Sequence, residues 1–448
     1  MISKYFPLTS VLVMTLLLLS SCLNSSTDNV EYSPDAQIYA LTLSSKTDTA
    51  SLLTATQFTI DQINGKIFNK EPLPYLFHID SVLLSLRGAS SYSPFSQVLL
   101  TLDQESPSPW RESDSVAVNQ LRKITTTAPD GIHTKEYSFE LNIYQEDPFI
   151  INWQQLHTNF LPIAPLSQNS IAFNGNLITY YKSTERIEAV MTEPGNEPVW
   201  HSLNIAGLPS TTDLSTATVN DGTIFMLDPA GYTLYHSTDG IAWNSVPGSH
   251  KIGALYGTLP APGEDKLLLA VEQDNMLFFA ETTDFTEVTV MNKVPDHIPV
   301  NGFTTTKVDD PTSYSVKYLL LAGGNTTDNS LSNQIWILQK KEGTITSILS
   351  RMTSSLILQS STLFYYDNKP YLMTPSTERN ILFFSGNFGL DWEEAEENQA
   401  FPAGFTKRSN ASVITDSENY IWIFGGISAE QAQLTDVWRG RLNKFNGM

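Results

Sequence analysis

Short runs in which apolar and polar residues alternate recur along this chain. Tyr137, Phe139, Leu141 and Ile143 are separated by more polar neighbours, the period-two pattern of a half-buried strand. Asp130-Gly131 just before them is a hairpin-type turn. Phe58 and Ile60, then Asn64-Gly65, then Ile67 predict a second hairpin. Val82, Leu84 and Leu86 predict a further strand, as do Val98, Leu100 and Leu102. About seven short strands are thus expected in residues 34–147, enough for a β-sandwich.

From residue 148 to the end the pattern becomes a repeat. Leu319-Leu320-Leu321-Ala322-Gly323-Gly324 and Trp422-Ile423-Phe424-Gly425-Gly426 read as strands ending in a double glycine. Twelve residues lead from Gly324 to Trp336, and twelve from Gly426 to Trp438. The two units lie 102 residues apart, which is two periods of about 50. Six turn signals each sit between two apolar stretches: Asn174-Gly175, Asp221-Gly222, Pro262-Gly263, Asp310-Pro311, Asp367-Asn368 and Asp416-Ser417. Several units end in an aromatic strand, at Val199-Trp200, Ala242-Trp243 and Asp391-Trp392. The sixth lacks an outer strand of its own, and Ile150-Ile151-Asn152-Trp153 has the missing pattern. That segment is expected to complete the last unit and so remove free sheet edges.

The double-glycine units resemble the kelch repeat, which implies a six-bladed kelch-like β-propeller. The preceding region resembles the Ig-like sandwich modules of bacterial surfaces, with Ala128-Pro129-Asp130-Gly131 through Tyr137 as their last hairpin. The fold class is therefore all-β. Ser237-Thr238-Asp239-Gly240-Ile241-Ala242-Trp243 resembles a shortened Asp-box of sialidase-type propellers. Ser385 through Trp392 fits the full-length form with Asn387 in the acidic position, and Thr282-Thr283-Asp284 continues the series 45 residues after Asp239. In such a turn the carboxylate or amide accepts N–H bonds from its own loop. The tryptophan is expected to pack between blades. The resemblance places these motifs on the face opposite the usual ligand mouth, in a structural role.

The amino terminus has one basic residue, Lys4, and an apolar core from Val11 to Leu19. It is shorter than the roughly 20 residues of a membrane span and suits a secretory signal over residues 1–21. Leu19-Ser20-Ser21-Cys22 resembles the bacterial lipobox. That resemblance implies cleavage before Cys22, acylation of its sulfur with palmitate-type chains, and a lipid bilayer as partner. Residues 22–33 form a polar tether. Leu23 in place of Asp implies the outer membrane as destination, with the periplasmic and cell-surface faces both open.

Composition narrows the chemistry. A formal net charge of −21 repels phosphate backbones, which excludes nucleic-acid binding. Cys22 is the only cysteine. No intrachain disulfide can form, and the cysteine–tyrosine cross-link of the kelch-fold copper radical oxidases is excluded if the anchor takes that thiol. The propeller holds six arginines (Arg186, Arg351, Arg379, Arg408, Arg439 and Arg441), with Arg439 and Arg441 expected on an outer strand. They do not form the arginine motif of a sialidase. His157, His201, His236, His250 and His297 lack metal-ligand spacing, and Glu393, Glu394, Glu396 and Glu397 are expected to point into water. No metal and no cofactor is implied.

A propeller mouth is built by second-to-third-strand loops and by the connections between blades. The loops would present Arg186, Asp228, Tyr232, Glu272, Asp274, Asn325, Glu378 and Arg379; His250, His297 and Arg408 fall in or near the connections. Arg186, Tyr232, Glu272, Arg379 and Arg408 are the ligand-binding candidates, a mixture suited to a glycan or a peptide. No catalytic residue is assigned. As a whole the chain resembles outer-membrane lipoproteins of gut-type Gram-negative bacteria, a family that brings no activity with it. Two readings stay open. One is a non-enzymatic binding or scaffolding lipoprotein whose ligand is a glycan or an envelope protein. The other is a diverged glycan-acting hydrolase or lyase, marked by a mouth carboxylate pair with one pKa raised.

Overall fold

The computed structural model describes residues 31–446 except 90–93, 104, 249 and 353–357. Residues 1–21, expected to be a signal, Cys22 and most of the expected tether lie outside the described residues. The chain divides into two compact units between Glu146 and Asp147. Asp147 belongs with the second: its carboxylate accepts bonds from Phe149 N (2.9 Å) and Asn398 Nδ2 (2.9 Å), and its carbonyl from Asn443 Nδ2 (2.9 Å).

Among the described residues the first unit has nine strands in two sheets. Strands β1 (Ala40–Ser44), β2 (Phe58–Asp61), β3 (Lys66–Asn69), β4 (Val82–Arg87) and β5 (Gln97–Leu102) are followed by β6 (Ser108–Pro109), β7 (Ser115–Val116), β8 (Leu121–Thr127) and β9 (Thr134–Glu140). One sheet runs β1-β4-β7 and the other β2-β3-β9-β8-β5-β6. All pairs are antiparallel except β3 with β9. Two-residue β6 and β7 are the strands beyond the seven expected. Period-two patterning explains the core: Leu41 and Leu43, Val82 and Leu84, Val98 and Leu100, and Tyr137 and Phe139 are buried together. Leu141 and Ile143 do not continue β9. The reason lies in Asn142, whose N–H and side-chain amide donate to Asn69 Oδ1 and O at 2.7 Å each, taking the backbone off the ladder.

Among the described residues the second unit is a closed ring of six sheets, four-stranded in blades one to five and five-stranded in blade six, whose first strand comes in two pieces. Blades one to five occupy residues 167–203, 213–245, 251–293, 301–349 and 362–394, each an antiparallel meander. Blade six combines Arg408–Ser409 and Ser412–Thr415, Ile421–Ser428 and Gln433–Leu442 with β10 (Ile151–His157) as its fourth strand. β10 runs antiparallel to the third strand, pairing Ile151 with Leu442 and Gln154 with Arg439. The amino-terminal strand therefore clasps the last blade and closes the ring. All six turn signals lie between the first and second strands of a blade.

First strands of adjacent blades pack against each other around the ring. Polar side chains stitch them together, which is why these strands carry so many Ser, Thr and Asn residues. Ser412 Oγ donates to Asn169 Oδ1 (2.7 Å), Asn169 Nδ2 to Leu214 O (2.7 Å) and Thr258 Oγ1 to Val219 O (2.9 Å). Leu363 N donates to Thr304 Oγ1 (3.0 Å), and Thr362 Oγ1 to Ala411 O (2.8 Å). Between blades three and four, Tyr256 stacks on Phe303 with centroids 5.3 Å apart.

The double glycines have a local cause. Gly323 and Gly425 have φ of +67° and +51°. A Cβ on Gly323 would sit 2.6 Å from Leu358 O, and one on Gly425 1.8 Å from Gln168 Nε2. Both obstacles come from the chain of the following blade, so glycine lets successive blades close up.

The Asp-box turns form as expected. Asp239 Oδ1 accepts from Ile241 N (2.8 Å), Ala242 N (2.8 Å) and Ser237 Oγ (2.9 Å). Those backbone N–H groups hold its carboxyl below the ordinary value of 3.8. Asn387 Oδ1 accepts from Ser385 Oγ (2.9 Å) and Asp391 N (2.8 Å). Trp243 packs edge-to-face on Tyr180 of blade one at 5.7 Å, and Trp392 Nε1 donates to Ser350 Oγ at the end of blade four (2.9 Å). Each tryptophan thus reaches back into the seam with the preceding blade.

Candidate functional site

The second-to-third-strand loops and interblade connections gather at one end of the ring, because consecutive strands run antiparallel. Arg186 is exposed there, its Nε 3.4 Å from Glu188 Oε1. Glu188 also accepts from Tyr181 OH (3.0 Å). Burial, reinforced by that carboxylate, pushes the Tyr181 hydroxyl up to about 12. Arg379 is exposed on blade five, in a loop shaped by Ser376, whose Oγ accepts from Arg379 N (3.2 Å) and donates to Arg379 O (2.7 Å).

Tyr232 and Glu272 come together across the seam of blades two and three, around a residue not singled out in the sequence. Lys251 Nζ lies 3.4 Å from Glu272 Oε1 and 5.8 Å from the centre of the Tyr232 ring. Tyr232 has φ +51°, and its carbonyl accepts from Ile252 N (2.9 Å). Position alone could have flagged Lys251: it opens the first strand of blade three, one residue after His250.

Arg408 is not a mouth residue. It is 1% exposed and grips Asp436 with both terminal nitrogens, Nη1–Oδ1 at 2.7 Å and Nη2–Oδ2 at 2.8 Å. Nε donates to Thr406 O and Nη1 to Gly425 O, both at 2.9 Å, while the guanidinium lies 4.2 Å above the Phe405 ring. Trp438 Nε1 donates to the same carboxylate (2.7 Å). Asn380 of blade five exchanges two bonds with the Arg408 backbone, at 2.7 and 2.8 Å. The bidentate pair is a buried lock within blade six, and the Asn380 bonds tie it to blade five. Arg439 also departs from expectation. It sits on a third strand because β10 supplies the outer one, and it is buried over Tyr420 at 4.1 Å while donating to Gly195 O (2.7 Å).

The remaining candidates scatter. Asp228 is buried and accepts from Ala230 N (3.3 Å). Asn325 Nδ2 donates to Asn301 Oδ1 (3.0 Å), and His297 lies against Trp336 at 4.6 Å. Arg186, Arg379 and the Tyr232–Lys251–Glu272 group sit on different blades. Glu393, Glu394, Glu396 and Glu397 are exposed.

A propeller closed by its own first strand and preceded by a small β unit defines the class of this protein. Residues 147–447 match the family model described as the DUF6242 beta propeller domain, and residues 28–141 match the DUF6242 N-terminal domain. The chain belongs to the DUF6242 family. No curated protein matches the sequence. Among solved structures, that of YjhT is similar at 9% identity and a TM-score of 0.45, with 62% of this chain and 94% of that one covered. A catalytically inactive virginiamycin B lyase from Staphylococcus aureus with quinupristin is similar at 12% identity and a TM-score of 0.38, covering 65% of this chain and 99% of that one. No helix among the described residues is long and apolar enough to cross a membrane.

Proposed function

We propose that this chain is a lipid-anchored envelope protein whose propeller binds a glycan or an envelope protein without transforming it. The observation that carries the reading is the dispersal of the mouth's charged groups. Arg186 is matched by Glu188 and Lys251 by Glu272, each on a separate blade, and Arg408 is withdrawn into the interior. Glycoside hydrolysis needs two carboxyl groups facing one bond, about 5–10 Å apart. Paired charges on separate blades instead give a varied rim for recognition. Acylation of Cys22, from its lipobox context, would hold that rim at the outer membrane.

Two assays test the two halves. Full-length protein incubated with immobilised envelope glycans and purified envelope proteins is expected to bind saturably and release no product. Reproducible turnover of any glycan would refute the binding reading. For the anchor, Cys22→Ser is expected to abolish incorporation of labelled palmitate and to free the protein from the membrane fraction. Unchanged labelling would refute it.

A further inference from the structure

The seam between blades two and three differs from the other five. Trp243 fills the seam of blades one and two, Trp336 that of three and four, and Trp392 that of four and five. Trp438 packs between blades five and six, and Trp422 and Trp200 between six and one. Trp110 lies in the first unit and Trp153 in blade six, which accounts for all eight tryptophans. None is left for the seam of blades two and three.

One position accounts for the missing tryptophan. Blade three keeps the Asp-box turn: Thr282 Oγ1 accepts from Phe285 N (2.9 Å), and Asp284 Oδ1 from Thr286 N (2.9 Å). Val288 stands where the series from Asp239 to Trp243 would place tryptophan. A cleft of about 250 Å³ opens in this same seam, at the end of the ring opposite the mouth. Phe285 and Phe225 border it with ring centres 5.9 Å apart, and His236 stacks on Phe225 at 6.3 Å. Asn220 also lines it, only 3% exposed, with neither its amide nitrogen nor its amide oxygen bonded among the described residues. A buried amide without partners is costly and normally finds some. Asp221 and Asp284 complete the rim, and no lysine or arginine lines the cleft.

We propose that this cleft is a binding site for one neutral sugar ring, independent of the mouth. Vicinal hydroxyls offer the donor and acceptor that the two ends of the Asn220 amide lack. The Phe225 and Phe285 rings suit the apolar C–H face of a pyranose. The two carboxylates disfavour acidic sugars. The volume falls below that of a pocket for a drug-sized ligand, so a single ring is the matching size.

The test uses full-length protein in detergent, with saturation-transfer NMR and calorimetry. Glucose, galactose, mannose, fucose, N-acetylglucosamine and N-acetylgalactosamine are the probes; glucuronic acid and putrescine are the charged controls. At least one neutral sugar is expected to bind saturably. Asn220→Leu should weaken it at least tenfold without lowering the melting temperature. Val288→Trp, which refills the seam from the other side, should do the same and serves if Asn220→Leu fails to fold. Absence of saturable binding by every neutral sugar, undiminished binding in both variants, or binding of putrescine alone would overturn the proposal.

Discussion

Blade six and the seam of blades two and three use the same repeat in opposite ways. In blade six one buried polar cluster is matched throughout: Arg408 is bonded to Asp436, Trp438 to the same carboxylate, and the backbone of Arg408 to Asn380. In the other seam Asn220 is buried unmatched beside an open cleft. The propeller must close through non-covalent contacts at one place only, where β10 meets the last strands. The buried bidentate Arg408–Asp436 pair lies in that closing blade. The other seams are held by packing and by first-strand bonds such as Thr258 Oγ1 to Val219 O, so one of them can lose its tryptophan and still hold.

The largest expected effect comes from breaking the lock. Asp436→Ala strands a fully buried guanidinium and should cost about 3–5 kcal/mol, seen as a large drop in the denaturation midpoint. A change under about 1 kcal/mol would mean that closure does not depend on the pair. Trp392→Ala should cost a comparable or slightly smaller amount, about 3–5 kcal/mol, by emptying a filled seam and leaving Ser350 Oγ without its indole donor. Gly440→Ala probes the clasp itself. Its Cβ would stand 2.4 Å from the Trp153 ring, so about 1–3 kcal/mol of destabilisation is expected in chemical unfolding.

The smallest effect concerns acid. Asp239 is held below 3.8 by the N–H groups of its turn, so it contributes stability above that pH and loses it as pH falls through the lowered value. Asp239→Asn should therefore flatten the decline of melting temperature below about pH 4 and leave its slope near neutrality unchanged. An identical acid limb in both proteins would remove Asp239 from the account.

Much of this comparison could be read in the sequence wherever the determinant is local. Asp221-Gly222 and its five counterparts are turns in their own right. Gly323-Gly324 and Gly425-Gly426 marked second strands, and Ile150 to Trp153 carried the pattern of a missing outer strand. The sites were harder because their partners are remote. Arg408 and Asp436 are 28 residues apart and meet only through the pairing of the blade-six strands. A basic residue before a first strand reads as a mouth residue until that pairing is known. The cleft had a faint trace, since the series from Asp239 to Asp284 exposes Val288 in a tryptophan position. That trace gains meaning only once each such tryptophan is seen to fill the seam behind its own blade. Nothing local distinguishes Asn220 from any other asparagine before a turn.

Hydrogen–deuterium exchange tests the contrast between lock and cleft most directly. Amides of Ile421–Phe424 and Val437–Leu442 are expected to stay protected with and without the neutral sugars. Those of Asn220–Phe225 and Thr282–Val288 should exchange faster in the free protein and slow when a neutral sugar is added. Equal protection in both regions, unmoved by every sugar, would contradict the account.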